Sequence, residues 1–277
     1  MPAPDIPALL QRYGLRPQKS LGQNFLVDEA ALRRVVEAAG IQTSQQVLEI
    51  GPGLGSLTCL LAERASRVVC VELDQNLLPP LAEVLRPYPN VQIVQGDILA
   101  LDPSALMSGA GQPAYLVVAN IPYYITSALV RHLLETSFPP HSLVLTVQRE
   151  VAERICAAPG EMSLLALSVQ VYGSPQIVAR IPAGAFYPPP KVDSAVIRVA
   201  LNALPFFPKA QLPAFFRLAK AGFSQKRKTL RNALSAGMHW STAQTGELLS
   251  ASGIDPMRRA ETLSLDEWKR LVETAPV

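Results

Sequence analysis

Short, continuously apolar runs alternate with amphipathic ones through the first two-thirds of the chain. The apolar runs are VLEIG (47–51), RVVCVEL (67–73), VQIVQG (91–96), YLVVA (115–119), SLVLTV (142–147), LALSVQVYG (165–173) and SAVIRVAL (194–201). They are rich in β-branched residues and too short for most helices, and the segments between the earlier runs carry helical spacing. That alternation predicts a mostly parallel seven-stranded sheet covered on both faces. The last two runs are joined only by a proline-rich loop, so they are expected to pair antiparallel at one edge, with Gly173-Ser174-Pro175 and YPPPK (187–191) supplying turns. After Leu204 only helical spacing remains: PKAQLPAFFRLAKAGF, QKRKTLRNALSA, STAQTGELLSAS and LSLDEWKRLVETA, the last opened by a capping box of Ser264 and Glu267. The expected domains are therefore 1–204, α/β, and 205–277, all-helical.

Composition narrows the class. The chain has 277 residues, 49% hydrophobic and 17% charged, enough for one large domain and a small one. It has no run of 18 uncharged apolar residues, and prolines and charges occupy the N-terminal stretch where a signal peptide would need an apolar centre. A soluble cytoplasmic protein with no membrane partner is expected. Cys59, Cys70 and Cys156 are odd in number and far apart, which supports neither a disulfide framework nor a metal site.

The stretch VLEIGPGLGSLT joins a strand to a helix through Gly51, Gly53 and Gly55. Glycines allow a sharp turn and close approach of a ligand, and a helix N-terminus offers free N–H groups. The spacing G-x-G-x-G departs from the G-x-G-x-x-G of pyrophosphate-binding folds, which favours a cofactor without a diphosphate. Glu72 closes the second strand, where a carboxylate can accept from both ribose hydroxyls, and Asp97 follows the third, where it can accept from an adenine amine. Each acid alone would more often be a solvated loop residue or a cap. Together with N–H groups for an amino-acid carboxylate, they describe S-adenosylmethionine.

The fourth strand ends in NIPYY (120–124). A strand terminated by a proline turn with two core tyrosines is the bland reading. The functional one explains more: an adenine amine is a poor nucleophile, and a catalyst gains by accepting its N–H hydrogens as positive charge develops. The Asn120 side-chain oxygen and the carbonyl of Ile121 or Pro122 are suitable acceptors, Pro122 fixing the turn, with Tyr123 a flat surface for the unstacked base.

With these motifs in hand, the sequence resembles the ribosomal RNA adenine N6-dimethyltransferase family of the KsgA type. Seven motifs in order carry the resemblance: QKSLGQNFLVD (18–28), VLEIGPGLGSLT, VELD, QGDIL, NIPYYITS, FYPPPKVDSAVIR (186–198) and FSQKRKTLRNAL (223–234). It implies a class I S-adenosylmethionine-dependent methyltransferase fold, Rossmann-like, with a helical C-terminal domain. It also implies dimethylation of two adjacent adenosines in a hairpin loop near the 3′ end of small-subunit (16S) rRNA, coupled to 30S biogenesis. By the same resemblance Asn24 and Leu26 join Gly51, Gly53, Gly55, Glu72, Asp97 and Asn120 around the cofactor, and Phe186 stacks opposite Tyr123 on the flipped adenine. The bland readings are a core aromatic for Phe186 and a turn for GQNFL.

Charge adds the RNA side. Residues 1–200 hold 14 Lys and Arg against 16 Asp and Glu, whereas 201–277 hold 11 against 6. Lys226, Arg227, Lys228 and Arg231, expected within two helical turns, are usually just a solvated face; in a basic domain they read better as phosphate contacts, with Arg16 and Lys19 as further candidates. A monomer acting on the 30S particle is expected. The rival readings are a macrolide-resistance methyltransferase of large-subunit rRNA, a DNA adenine methyltransferase, a mainly non-catalytic small-subunit assembly factor and, disfavoured by the glycine spacing, a nicotinamide oxidoreductase.

Overall fold

The computed structural model describes residues 4–107, 115–121 and 126–276. It forms two compact units, one running to Ala152 and taking in Pro175–Leu201, the other made of Glu153–Ser174 and the chain from Asn202 onward.

The first unit is built on strands β1 (Phe25–Leu26), β2 (Gln46–Ile50), β3 (Arg67–Glu72), β4 (Val91–Gln95), β5 (Tyr115–Asn120), β6 (Ser142–Gln148), β7 (Gly173–Ile181), β8 (Phe186–Tyr187) and β9 (Ser194–Leu201). Seven form one sheet in the order β4-β3-β2-β5-β6-β9-β7, parallel from β4 to β6 and antiparallel between β6 and β9. Every residue of β2 is buried, as a parallel strand covered on both faces requires. The covering helix Glu29–Ala39 starts at Asp28, whose carboxylate accepts the Ala31 N–H at 2.7 Å, and buries Leu32, Val35 and Val36. The reversal of strand order beside β2 puts the carboxyl ends of β2 and β5 next to a crevice of the kind where open α/β sheets bind ligands.

One expected strand is largely a helix. Residues Leu164–Gln170 are helical, capped by Ser163, whose hydroxyl accepts the Ala166 N–H at 3.1 Å, and the strand begins only at Gly173. A continuous apolar run fits a buried helix as well as a buried strand. Pro175 lies inside β7 and not in a turn, which is tolerated because β7 is the edge of the sheet.

The second unit holds helices Leu212–Phe223, Leu230–Met238, Thr242–Ala251 and Leu265–Thr274. Trp268 is fully buried between Phe215, met edge-on, and Phe223. The capping box of the last helix is formed: Ser264 accepts from the Glu267 N–H at 3.2 Å, and Glu267 accepts from the Ser264 N–H at 2.9 Å. Residues 153–174 belong to this unit because their backbone bonds into it: Gly160 N–H donates to Glu261 O at 2.9 Å and Phe206 N–H to Val171 O at 2.7 Å.

Candidate active site

A pocket opens at the carboxyl edge of β2, β3, β4 and β5. Gly51–Leu54 of the glycine turn, Glu72, Asp97, Asn120 and Ile121 line it, and the segment Leu21–Leu26 closes another side. Asn24, Leu26, Gly51, Gly53, Glu72, Asp97 and Asn120 are thus gathered round one cavity from five separate stretches of sequence. Gly55 is the exception: it is buried at the start of helix Ser56–Ala62, against Val84 and Leu81, and does not line the pocket.

The turn depends on glycine most clearly at Gly53. Its φ is +59°, and a Cβ there would lie 2.8 Å from Cδ1 of Phe25, so a side chain would be both strained and obstructed. Glu72 fixes the turn from below. It is 6% exposed, its Oε2 accepts the Gly53 N–H at 3.0 Å, and its Oε1 accepts the Asp74 N–H at 2.8 Å. Burial pushes its carboxyl above the usual range, while these two backbone N–H groups pull the other way. Asp97 is exposed, and its side chain accepts the Leu99 N–H at 2.9 Å, so it caps its own loop as well as facing the pocket.

Asn120 ends β5, and its side-chain amide donates to the main-chain carbonyl of Asn24 at 3.1 Å. Asn24 in turn donates its own amide to Gly22 O at 3.2 Å. The segment carrying Asn24 is tied down further along the chain. Asp74, 6% exposed, accepts from Gln18 Nε2 at 3.0 Å and from Gln23 Nε2 at 2.8 Å, and the Gln18 N–H donates to Gln23 Oε1 at 2.8 Å. Pro122 and Tyr123, the rest of the expected base grip, lie outside the described residues, as does Tyr124.

Phe186 is not where a stacking surface was expected. It pairs with Leu26 across the two-stranded β1–β8 ladder, is 3% exposed, and packs in the core with Leu32, Ile181 and Ala185. In this arrangement its ring offers no open face to a base. Alternation along the strand leaves the neighbouring Tyr187 as the 39% exposed side chain.

Glu49 is a pocket residue that sequence reasoning missed. It sits in the middle of β2, is 1% exposed, lines the cavity, and its Oε2 has no hydrogen-bond partner among the described residues. Burial pushes its carboxyl up to about 8, Glu72 adding to the rise and the Thr58 hydroxyl opposing it. The available signal was a carboxylate set between Leu48 and Ile50 in an otherwise apolar buried run.

The basic segment also differs from expectation. Lys226, Arg227 and Lys228 are exposed but lie in the connection between two helices, and the next helix starts only at Leu230. Arg231 is half-buried on that helix, with its Cδ facing Gly246 and its Nε without a hydrogen-bond partner. It is set apart from the exposed three. Arg16 and Lys19 are exposed, in and beside the segment that leads to Asn24. No helix among the described residues is long and apolar enough to cross a membrane.

A seven-stranded, mostly parallel sheet with a glycine turn after β2 and acids after the next two strands defines a class I methyltransferase. Comparison with known proteins takes this to a family: residues 14–275 match ribosomal RNA adenine dimethylase, and the chain belongs to that family. It is 46% identical over 263 residues to a protein of Dehalococcoides mccartyi (strain CBDB1) named ribosomal RNA small subunit methyltransferase A, covering 95% of this chain and 90% of the relative. Among solved structures it is similar to the 23S rRNA methyltransferase ErmE, at TM-score 0.71 and 28% identity, over 91% of this chain and 99% of that one. It shares its fold with a dimethyladenosine transferase from Plasmodium falciparum, at TM-score 0.75 and 24% identity, over 89% and 95% of the two chains.

Proposed function

We propose that this protein uses S-adenosylmethionine to dimethylate the N6 amines of two adjacent adenosines near the 3′ end of small-subunit rRNA, acting on the 30S particle. One observation carries the cofactor reading: among the described residues the pocket is lined by three carboxylates, Glu49, Glu72 and Asp97, and by no Lys, Arg or His. A nucleotide with a diphosphate would find no cationic side chain among them to offset its charge. A cationic adenosine derivative meets acceptors for its ribose and amine, and the glycine turn leaves room for its approach.

In this reading Glu72 accepts from the ribose hydroxyls, Asp97 from the adenine amine, and Asn24, Leu26 and the glycine turn with Gly51 and Gly53 enclose the rest. Gly55 contributes by letting the helix pack close. The bound cofactor supplies a methyl group on a sulfonium, ready for transfer to a nucleophile. Asn120 and the carbonyl of Ile121 accept the hydrogens of the target amine, stabilising the charge that develops on its nitrogen and holding its lone pair towards the methyl group. Pro122 and Tyr123 would complete that grip. Phe186 buttresses Leu26 in its buried position and would have to leave the core to stack on a base. Lys226, Arg227 and Lys228 in the second unit would meet phosphates, and Arg16 and Lys19 in the first would do so separately, positioning structured RNA without reading bases.

The small-subunit substrate is favoured over a large-subunit one because the relative named for the small subunit is 46% identical to this chain, against 28% for ErmE. Incubation with labelled S-adenosylmethionine and unmethylated small or large subunits in parallel tests this. Label in the small subunit alone is expected; label in the large subunit alone would contradict it.

A further inference from the structure

The two-stranded β1–β8 ladder sorts its side chains by face. Leu26 and Phe186, paired across it, pack in the core. Phe25 and Tyr187, the other pair, share the opposite face, because directly opposed residues of an antiparallel ladder point the same way. Phe25 shows where that face looks: it lines the pocket, and its ring limits the space at Gly53. It is 8% exposed, whereas Tyr187 is 39% exposed. Tyr187 therefore continues, into solvent, a surface that begins as pocket wall. Opposed Cα atoms lie about 5 Å apart and each residue rises about 3.4 Å along a strand, so the Tyr187 backbone is roughly 6 Å from Asn24, whose carbonyl anchors the Asn120 side chain.

Cations accompany both arms of the ladder. Arg16 and Lys19 are exposed in the chain leading to β1, and Lys191 is exposed in the loop leaving β8, all in the same compact unit. An exposed tyrosine alone would be ordinary. An aromatic ring with cations about it is how a single strand of nucleic acid is held, its bases on rings and its phosphates on charges. We infer that Tyr187 stacks on the base next to the reacting one, the second adenosine of the pair, while the first is held at Asn120. The inference rests on the adenosine-pair substrate given under the proposed function. A base gripped at Asn120 lies inside the pocket, and its covalent neighbour stays at the mouth, on the side that Tyr187 occupies. The contact favours a purine there and steadies the strand while the target base turns inward.

Methylation of reconstituted small subunits, carrying either both adenosines or uridine in place of one of them, tests this. On particles with both adenosines Tyr187→Ala should lower kcat/KM roughly 10-fold or more, as the loss of one base–aromatic stack does, and Tyr187→Phe should retain most of the activity. Tyr187→Leu, apolar but not aromatic, should stay impaired, and its comparison with Tyr187→Phe decides the matter even if the alanine variant folds poorly. Affinity for S-adenosylmethionine should match the parent throughout. Uracil stacks more weakly than adenine, so the loss caused by the leucine or alanine change should shrink several-fold on at least one kind of uridine particle. A loss of equal size on every particle, a leucine variant as active as the phenylalanine one, or cofactor affinity lost together with activity would each overturn the inference. Failure of the parent to methylate particles with both adenosines would instead overturn the substrate reading beneath it.

Discussion

The Asn120 side-chain amide donates to the main-chain oxygen of Asn24 across 3.1 Å, joining the end of β5 to a segment 96 residues earlier. With the donor end committed, the side chain offers its acceptor end to an incoming amine. Asn120→Ala should therefore lower turnover by roughly 10²-fold with cofactor affinity largely kept, the usual cost of losing one preorganised polar group. Asn120→Asp should also be impaired, although it is the stronger acceptor, because an oxygen would then face the Asn24 carbonyl. Steady-state kinetics of both variants check this; an aspartate variant as active as the parent would mean that the Asn24 contact does not orient the side chain.

Asp74 governs the same segment from its other end. Its carboxylate takes both glutamine amides, Gln18 at 3.0 Å and Gln23 at 2.8 Å, and hydrogen bonds to a charged group are worth about 1.5–3 kcal/mol each. Asp74→Ala should speed hydrogen exchange across residues 18–26 and weaken cofactor binding by 10-fold or more, while exchange in β2 and β5 stays slow. Exchange followed by mass spectrometry reads both regions; unchanged exchange at 18–26 would remove Asp74 from this role.

Glu72 has a structural duty beside its proposed ribose contact, since its two oxygens hold the Gly53 and Asp74 N–H groups. Glu72→Ala should therefore lose more affinity for S-adenosylmethionine than the ribose contact alone supplies. Glu72→Gln, keeping one acceptor oxygen, should fall between the two. Equal affinity in the parent and Glu72→Ala, measured by calorimetry on folded protein, would remove Glu72 from the site.

Glu49 links stability to pH. Its carboxyl is raised in the folded chain to about 8, so between the unfolded value near 4.5 and about 8 the native state binds more protons than the unfolded one. Stability must then fall as pH rises through that window, by up to about 1.4 kcal/mol per pH unit from this group. Glu72, also raised, acts in the same direction, and so the Glu49 share is the difference between the parent and Glu49→Gln. Denaturant titrations of the ligand-free protein at pH 5 and pH 8 should show the variant with the flatter profile; parallel profiles would mean that Glu49 ionises normally.

Replacing Lys226, Arg227 and Lys228 with glutamine should weaken particle binding and reduce the log–log salt slope by roughly 2 to 3, at about 0.7–0.9 per phosphate contact. Arg231→Gln, on the half-buried helix position, should leave that slope nearly unchanged. A slope unaffected by the triple change would make the loop an ordinary solvated surface.

What the sequence disclosed follows from physical range. β2, β3, β5 and β6 fall within a residue or two of their apolar runs because buried strands of such a sheet need nearly uninterrupted apolar, largely β-branched residues, and β4, the half-exposed edge strand, was found by its alternation. Residues 165–173 misled because an apolar run without alternation suits either period, and Ser163 acts as a helix cap only once the helix exists. The pocket positions of Gly51, Gly53, Glu72, Asp97 and Asn120 were legible because each lies at or just past the carboxyl end of its strand. The clamp of Asp74 on Gln18 and Gln23 spans 56 and 51 residues, and no local pattern encodes it. The late start of the helix after Lys228 is likewise tertiary: the Leu230 N–H bonds to Arg258 O at 2.6 Å, and Leu230, Ala233 and Leu234 are buried.

The most direct test of the account is to map methylated nucleotides in unmethylated small ribosomal subunits after incubation with the protein and S-adenosylmethionine. The account predicts N6-dimethyladenosine at two adjacent positions near the 3′ end of the small-subunit RNA, and none when Asn120→Ala replaces the parent. Modification at any other base, or undiminished dimethylation by that variant, would contradict it.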